Sequence, residues 1–488
     1  MLQAQDTHSL SELKSDFIAK GLKADFILGT VKCFRLSAAN RCLEGIKIKG
    51  YQLSSLFTCL LTLPFLGKKS VHHFMQDPIE SLTTARKDCF YRMKNSSHIH
   101  WRNILYTFAR QFLNITTEAN QATHSEQGPK CLIFDDSTLP KCGRRIELIS
   151  RVWDHVTNRF VLGFKILVGL YYDGTSCLPV DFSIHREKSK HAKKPYGLKK
   201  KELKQVYNKS RQRDSQGYKR VKEADQSKID VTLKMIRRAV SKGLSIDYVL
   251  MDSWFTCWAF VALLVQLNEK RSEPIRLIGM YKCGKTKFDY NNQALTHAQI
   301  RESIGKTKRC RKLGYYYKEV IVEWKGQPIK LFFSKEGKRG KWKVLLTTDT
   351  SLSFIEMIKI YQIRWAIEVF FKEAKQSLGL GKCQSNDFDA QLADTTLVMI
   401  QYMILTLRWR FEQYESKGAL FEQDQNKVIA FRLAERLWGL LLQLARLIET
   451  LFDGVDSEEV ISRMFHDEKA LALIEQFWKE PSNNEIAV

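Results

Sequence analysis

Two apolar runs in this chain stop at acids, and that pattern narrows the folds open to it. "CLIFDDS" (131–137) and "YVLMDSWF" (248–255) both read as short strands running into aspartate. Between them lie "ELISRVWDHV", "RFVLGFKILVGLYYDG" and "SCLPVDFSI", punctuated by Thr157-Asn158 and Asp173-Gly174. These read as a meander of strands. A helical stretch, "QSKIDVTLKMIRRAVSKGL", then leads into the second acid-ended run. A meander followed by helix and strand predicts an α/β fold. In such folds the ends of neighbouring strands gather functional groups.

A third carboxylate sits in "YQIRWAIEVFFKEAK", residues 361–375. At 100° per residue, Tyr361, Arg364, Glu368 and Lys375 share an arc of roughly 60°. Lys372 joins this polar stripe. Ile363, Ile367, Phe370, Phe371 and Ala374 lie opposite, so one face is expected to bury. A cap is expected near Asp349 to Ser353.

The 488 residues are too many for one ordinary core and predict two to four domains. With 44% hydrophobic and 27% charged residues, the chain is globular rather than disordered. The formal net charge of +25 points to a polyanionic partner, nucleic acid or an anionic membrane. The longest apolar runs, near residues 60 and 400, are shorter than a bilayer span, and the N-terminus reads as mixed polar, without a secretory signal. Nucleic acid is therefore the expected partner, with no membrane. Eleven cysteines without a C-x-x-C pair suggest reduced core residues, not a zinc ribbon or a disulfide framework.

Residues 185–223 hold 15 Lys/Arg against 4 Asp/Glu and read as a polar basic loop. Lys199, Lys200 and Lys201 are its densest cations. Such a loop is either a solvated tether or a phosphate-contacting segment that orders on DNA. Residues 1–125 and the stretch after 390 read as helical, with a Ser-capped helix near residue 9 and a strongly amphipathic one at 432–452.

Asp135 or Asp136, Asp252 and Glu368 form a candidate acid set. Carboxylates so gathered repel one another unless cations bind. Oxygen-rich sites of this kind suit Mg²⁺ or Mn²⁺. Two such ions serve phosphoryl transfer. Arg364, Lys372 and Lys375 then meet incoming phosphates, and Tyr361 donates to one or stacks on an unpaired base. Alternation along a strand turns Asp135 and Asp136 to opposite faces, both apolar, and does not choose between them.

The spacing Tyr361, Arg364, Glu368, Lys375 resembles the Y-x2-R-x3-E-x6-K signature of DDE transposases in the insertion-sequence-four family. "IFDDST" and "LMDSWF" are similar to that family's two Asp motifs. The resemblance spans roughly residues 125–410. It implies a ribonuclease-H-like catalytic core with a β-rich insertion, in an α/β fold flanked by helical regions. The 116 positions between Asp252 and Glu368 leave room for such an insertion. The organisation it implies is a DNA-binding helical region at 1–125, catalytic segments at 126–265 and 341–390, the insertion at 266–340, and C-terminal helices at 391–488.

The resemblance further implies metal-dependent cleavage at transposon ends and transfer of the 3′ hydroxyl into target DNA. The partners are double-stranded terminal inverted repeats and target DNA, met by a homodimer in a bacterial, nucleoid-associated, cytoplasmic setting. Its Asp is expected to be Asp135, with Asp136 a turn residue just past the strand. The alternatives are a nuclease that cuts without joining and a transposase-derived DNA-binding protein with a dead site.

Overall fold

The computed structural model describes residues 34, 42, 43 and 50–411, apart from 66, 67, 69, 77–82 and 124–127. The helices expected near residue 9 and at 432–452 lie outside the described residues. Residues 34–61 and 75–413 form one compact unit; 1–33, 62–74 and 414–488 form a second. The sheet and the helices that cover it belong to the first.

The helices that precede the strands include Lys87–Lys94 (α1) and Trp101–Thr123 (α2). Strand β1, Cys131–Pro140, lies between one antiparallel and one parallel neighbour. On one side it pairs antiparallel with β3, Arg159–Tyr172. The other edge of β3 carries two antiparallel strands, β2 (Ser150–Asp154) along its first part and β4 (Cys177–His185) along the rest. Asn158, at φ +49°, helps turn the chain from β2 into β3. Asp173 closes the next turn by accepting from the N–H groups of Thr175 and Ser176.

Three helices follow: α3 (Lys200–Gln205), α4 (Gln216–Glu223) and α5 (Lys228–Ser241). The Ser227 hydroxyl caps α5 by accepting from the Ile229 N–H. Then β5 (Tyr248–Met251) pairs parallel with β1, and after α6 (Trp258–Asn268) β6 (Arg276–Tyr281) pairs parallel with β5. The order β4-β3-β1-β5-β6, three antiparallel strands and two parallel ones, is a ribonuclease-H-like core.

The central strands are apolar because helices cover the sheet. Leu132, Ile133 and Phe134 of β1 and Val249, Leu250 and Met251 of β5 are fully or almost fully buried. Each large side chain so buried contributes about 1.5–3 kcal/mol. Helix α5 packs on β3 and β4, α6 on β6, and α2 on β4.

The strand-rich stretch after β6 extends the same sheet. It comprises β7 (Lys287–Tyr290), β8 (Gln293–Thr296), α7 (His297–Ser303), β9 (Lys308–Cys310), β10 (Tyr315–Trp324), β11 (Gln327–Glu336) and β12 (Lys343–Thr347). Its seam with the core is the antiparallel pair β12–β6. The two-residue turn between β10 and β11 puts Lys325 at φ +49° and Gly326 at φ +78°, as a tight hairpin requires. The expected boundary at 265/266 falls inside α6, and that at 390/391 inside a later helix. Strand β6, expected in the insertion, is the fifth strand of the core.

Three helical pieces close the described chain: α8 (Phe354–Gln362), α9 (Ala366–Gln376) after a single 3₁₀ turn at Ile363–Trp365, and α10 (Phe388–Phe411). Ser353 and Glu356 cap α8 reciprocally, at the C-terminal edge of the stretch where a cap was expected. Of the face that the spacing singled out, Ile367, Phe370, Phe371 and Ala374 bury, while Ile363, in the 3₁₀ turn, is half-buried. Helix α10 is the one described helix long and apolar enough to cross a membrane, and 94% of its apolar window is buried within the protein.

The basic stretch at 185–223 differs from the expected loop. It contains α3 and α4, and several of its cations are built into the core. Arg211, with a side chain 2% exposed, pairs with Glu147 at 2.5 Å and Asp389 at 2.9 Å. Lys209 pairs with Asp387 and Asp389, each at 2.8 Å. Buried charges persist only when partnered this way, so Lys209 and Arg211 are structural, as are the ion-paired Arg186 and Arg220, while the other eleven cations of the stretch are exposed. Lys199, Lys200 and Lys201 are exposed at the start of α3.

Candidate active site

The parallel register of β1 and β5 builds the centre of the site. Phe134 lies opposite Met251 in the last pair of that ladder. The next residues on the two strands are Asp135 and Asp252. Two carboxylates thus leave adjacent strands at the same level.

Their surroundings differ. Strand β5 ends at Met251, and Asp252 opens a tight turn. Its Oδ1 accepts from the N–H groups of Trp254 at 2.9 Å and Phe255 at 3.1 Å, while the Thr256 hydroxyl donates to its carbonyl at 2.7 Å. Asp135 stays within β1, where its Oδ1 accepts from the Asp136 N–H at 2.8 Å. Burial pushes the Asp135 carboxyl up to about 7, and the nearby Asp252 adds to the rise.

Helix α8, the 3₁₀ turn after it and α9 bring the signature residues to these two carboxylates. The Tyr361 hydroxyl donates to the Met251 carbonyl at 3.2 Å, one residue before Asp252. Burial pushes its phenol up to about 12, so it remains a donor. This bond ties the end of α8 to the end of β5, and it occupies the hydroxyl expected to meet a phosphate. Arg364 reaches two acids at once: Nη1 lies 3.4 Å from Asp135 Oδ2 and Nη2 lies 2.7 Å from Glu368 Oε1. Lys375 donates to the Ser137 hydroxyl at 2.7 Å. Ser137 lies two residues beyond Asp135, on the same face of β1. Burial pulls the Lys375 amine below its ordinary range. Lys372 is exposed.

Asp136 belongs to the opposite face and to a different set of partners. Its Oδ2 is 2.9 Å from Lys228 Nζ and 3.7 Å from Lys165 Nζ. Lys165 is 3% exposed and also donates to Thr138. Strand β1 runs on to Pro140, with Asp136 opposite Leu167 of β3. Asp136 is therefore a mid-strand ion-pair residue, not the turn residue expected. Thr138 and Ser137 keep to the faces of Asp136 and Asp135 respectively.

The structure thus brings Asp135, Asp252, Arg364, Glu368 and Tyr361 together, with Lys375 of α9 against Ser137 of β1. Lys199, Lys200 and Lys201 belong to a different element, α3. Two residues that sequence reasoning passed over adjoin the site. Lys228 holds Asp136 and places its ammonium 4.7 Å from the centre of the Trp254 ring. Trp254, in the turn after Asp252, is 46% exposed. The signal for Trp254 was its place in "DSWF"; Lys228 gave none beyond following the Ser227 cap.

Among the described residues no three His, Cys, Asp or Glu side chains close around one point as metal ligands do. Glu368 is drawn to Arg364 at 2.7 Å, while Asp135 and Asp252 each accept from backbone N–H groups of their own segment. The donor chemistry still fits a hard divalent cation. Two like-charged, oxygen-only groups are held together, one of them pushed toward neutrality, and a cation relieves that repulsion.

Residues 66–276 match a family model described as DDE superfamily endonuclease, and residues 215–404 match one described as Transposase DDE domain. Together they span every element of the site. The matches support a DDE transposase. No curated protein matches the chain. The second DDE match contains both Asp252 and Glu368, and the first contains both Asp135 and Asp252.

Proposed function

We propose that this protein is a DNA transposase of the insertion-sequence-four type, which cuts the ends of its element and joins the freed 3′ hydroxyl to target DNA. The observation that carries this reading is the seating of Asp135 and Asp252 side by side, just past the last pair of the parallel β1–β5 ladder, with Arg364 linking Asp135 to Glu368.

Asp135, Asp252 and Glu368 are the residues that hold divalent ions, Mg²⁺ or Mn²⁺, two to a site. Such ions, when bound, activate the attacking oxygen and neutralise the leaving one. Arg364, Lys372 and Lys375 line the helix edge of the site and orient the phosphates of the cut strand. Tyr361 is a positioning residue that fixes α8 against the end of β5. The exposed Lys199, Lys200 and Lys201 contact DNA phosphates outside the site. The substrate is double-stranded DNA, at the element's terminal inverted repeats and then at the target. The N-terminal helical region reads the repeats, the strands at 266–340 steady the bound end, and two copies of the chain pair in the complex.

The test is an end-labelled duplex carrying the inverted repeats that flank the gene, incubated with protein, Mg²⁺ and a supercoiled plasmid. Cleavage at the repeat boundary and label in the plasmid are expected. Cleavage without transfer would make the protein a nuclease that only cuts. Binding with neither would make it a transposase-derived DNA-binding protein.

A further inference from the structure

Among the described residues, Arg364 is the one cation that touches two members of the acid set, and its geometry bears on how the site is loaded. The fork of the guanidinium is split: Nη1 addresses Asp135 on β1 and Nη2 addresses Glu368 on α9. The oxygens it addresses, Asp135 Oδ2 and Glu368 Oε1, belong to two of the three carboxylates that would hold a divalent ion. The side chain is only 17% exposed, and its carbon centre lies 5.9 Å from the Tyr361 ring centre. Tyr361 is itself pinned to the Met251 carbonyl. The cation is thus held in place by the fold.

We propose that Arg364 is the stand-in counter-ion of the acid site, and that a divalent ion held by Asp135 and Glu368 would bind weakly until the guanidinium leaves for a DNA phosphate. The inference rests on the metal-dependent reading above and adds an interlock to it. A divalent ion binds carboxylate oxygens at about 2.0–2.1 Å. A guanidinium nitrogen 2.7 Å from Glu368 Oε1 competes for that oxygen and repels the ion. A phosphate offers the guanidinium an equal, bidentate partner. Lys372 and Lys375, further along the same helix, draw a phosphate to that edge. Metal loading and DNA engagement are then coupled, because one event removes the obstacle to the other. A protein without DNA holds metal weakly and is not a free nuclease.

The experiment titrates Mn²⁺ into the full chain without DNA, by calorimetry, for the wild type, Arg364→Gln and Arg364→Lys. Arg364→Gln is expected to bind Mn²⁺ on the order of tenfold more tightly, since the competing charge is gone. Arg364→Lys keeps the charge but not the fork, and should fall between. In an Asp135→Asn background the Arg364→Gln gain should shrink or vanish. Thermal unfolding gives a second readout. Without metal, Arg364→Gln should melt below the wild type, and saturating Mg²⁺ should raise its Tm more than that of the wild type. Equal or weaker Mn²⁺ binding by Arg364→Gln, with clear binding by the wild type, overturns the interlock and leaves the metal site standing. A Tm loss that Mg²⁺ does not repair, with unchanged Mn²⁺ affinity, assigns Arg364 a structural role only. No Mn²⁺ binding by any variant overturns interlock and metal site together.

Discussion

At the scale of single residues, the two adjacent aspartates have separate partners and separate expectations. Asp135→Asn should abolish Mg²⁺-dependent cleavage while leaving the fold intact, since Asn preserves shape and an acceptor. Asp136→Asn removes the charge beside Lys165, which is 3% exposed. Stability should fall by about 3 kcal/mol, the low end for a broken buried pair, because Lys228 and Asp136 keep some solvent. Cleavage by the folded fraction should stay measurable. A melt alongside a cleavage assay separates the two, and an active Asp135→Asn with a dead Asp136→Asn would reverse the roles. Glu368→Gln and Asp252→Asn should keep DNA binding in a gel-shift assay and lose cleavage. In Asp252→Asn the side-chain oxygen can still accept from Trp254 and Phe255, so the loss should not reflect a collapsed turn.

Elements set the spacing of these groups. Gly279 of β6 shows how tightly: a Cβ built there would lie 2.2 Å from the Thr256 hydroxyl oxygen. That hydroxyl is the one that bonds the Asp252 carbonyl. Gly279→Ala should therefore cost about 1–3 kcal/mol through overpacking and should also displace the Asp252 turn. We expect a lowered melting temperature together with lowered cleavage per folded molecule. Unchanged cleavage with a lowered melt would show that the turn absorbs the shift. At the surface, neutralising Lys199, Lys200 and Lys201 together should reduce the slope of log affinity against log salt, by roughly 0.9 for each phosphate no longer neutralised. Slope and affinity both unchanged would make α3 a solvated helix with no DNA role.

Across the whole molecule, buried titratable groups predict acid lability. Burial pulls His185 down to about 4, from an ordinary value near 6.5. The unfolded chain takes up a proton below 6.5 that the folded chain refuses, so stability falls as pH drops from 6.5 towards 4. The full loss from this group is up to about 3 kcal/mol. Glu223 behaves as a depressed carboxylate. Burial works against its charge, but Arg220 and Arg102 outweigh burial and hold it at about 2. Its contribution is present above 4.5 and is lost as pH falls from there towards 2. Denaturant melts at stepped pH should show a decline that starts near 6.5 and continues below 4.5. His185→Phe, where it folds, should flatten only the upper part.

How far the sequence reached follows from the range of the forces involved. Local signals determined what they could: the apolar runs ending in acids, the glycine and asparagine turns, the Ser353 cap and the buried face of α9. Each depends on residues within one or two turns of chain. The faces of β1 stayed ambiguous because both are apolar, and alternation carries no information about what lies across them. Only the tertiary structure put Arg364 on one side of the strand and Lys165 with Lys228 on the other. The basic stretch reads as a loop for a similar reason. Composition counts charges but not partners, and the acids that bury Lys209 and Arg211 come from residues 147, 387 and 389. The place of β6 in the core, and not in the insertion, was equally invisible, since parallel pairing with β5 leaves no local mark. The sequence determined which groups carry charge and which segments form strands or helices. Long-range pairing decided which charges meet, because a strand's partners and a carboxylate's counter-ion can come from hundreds of residues away.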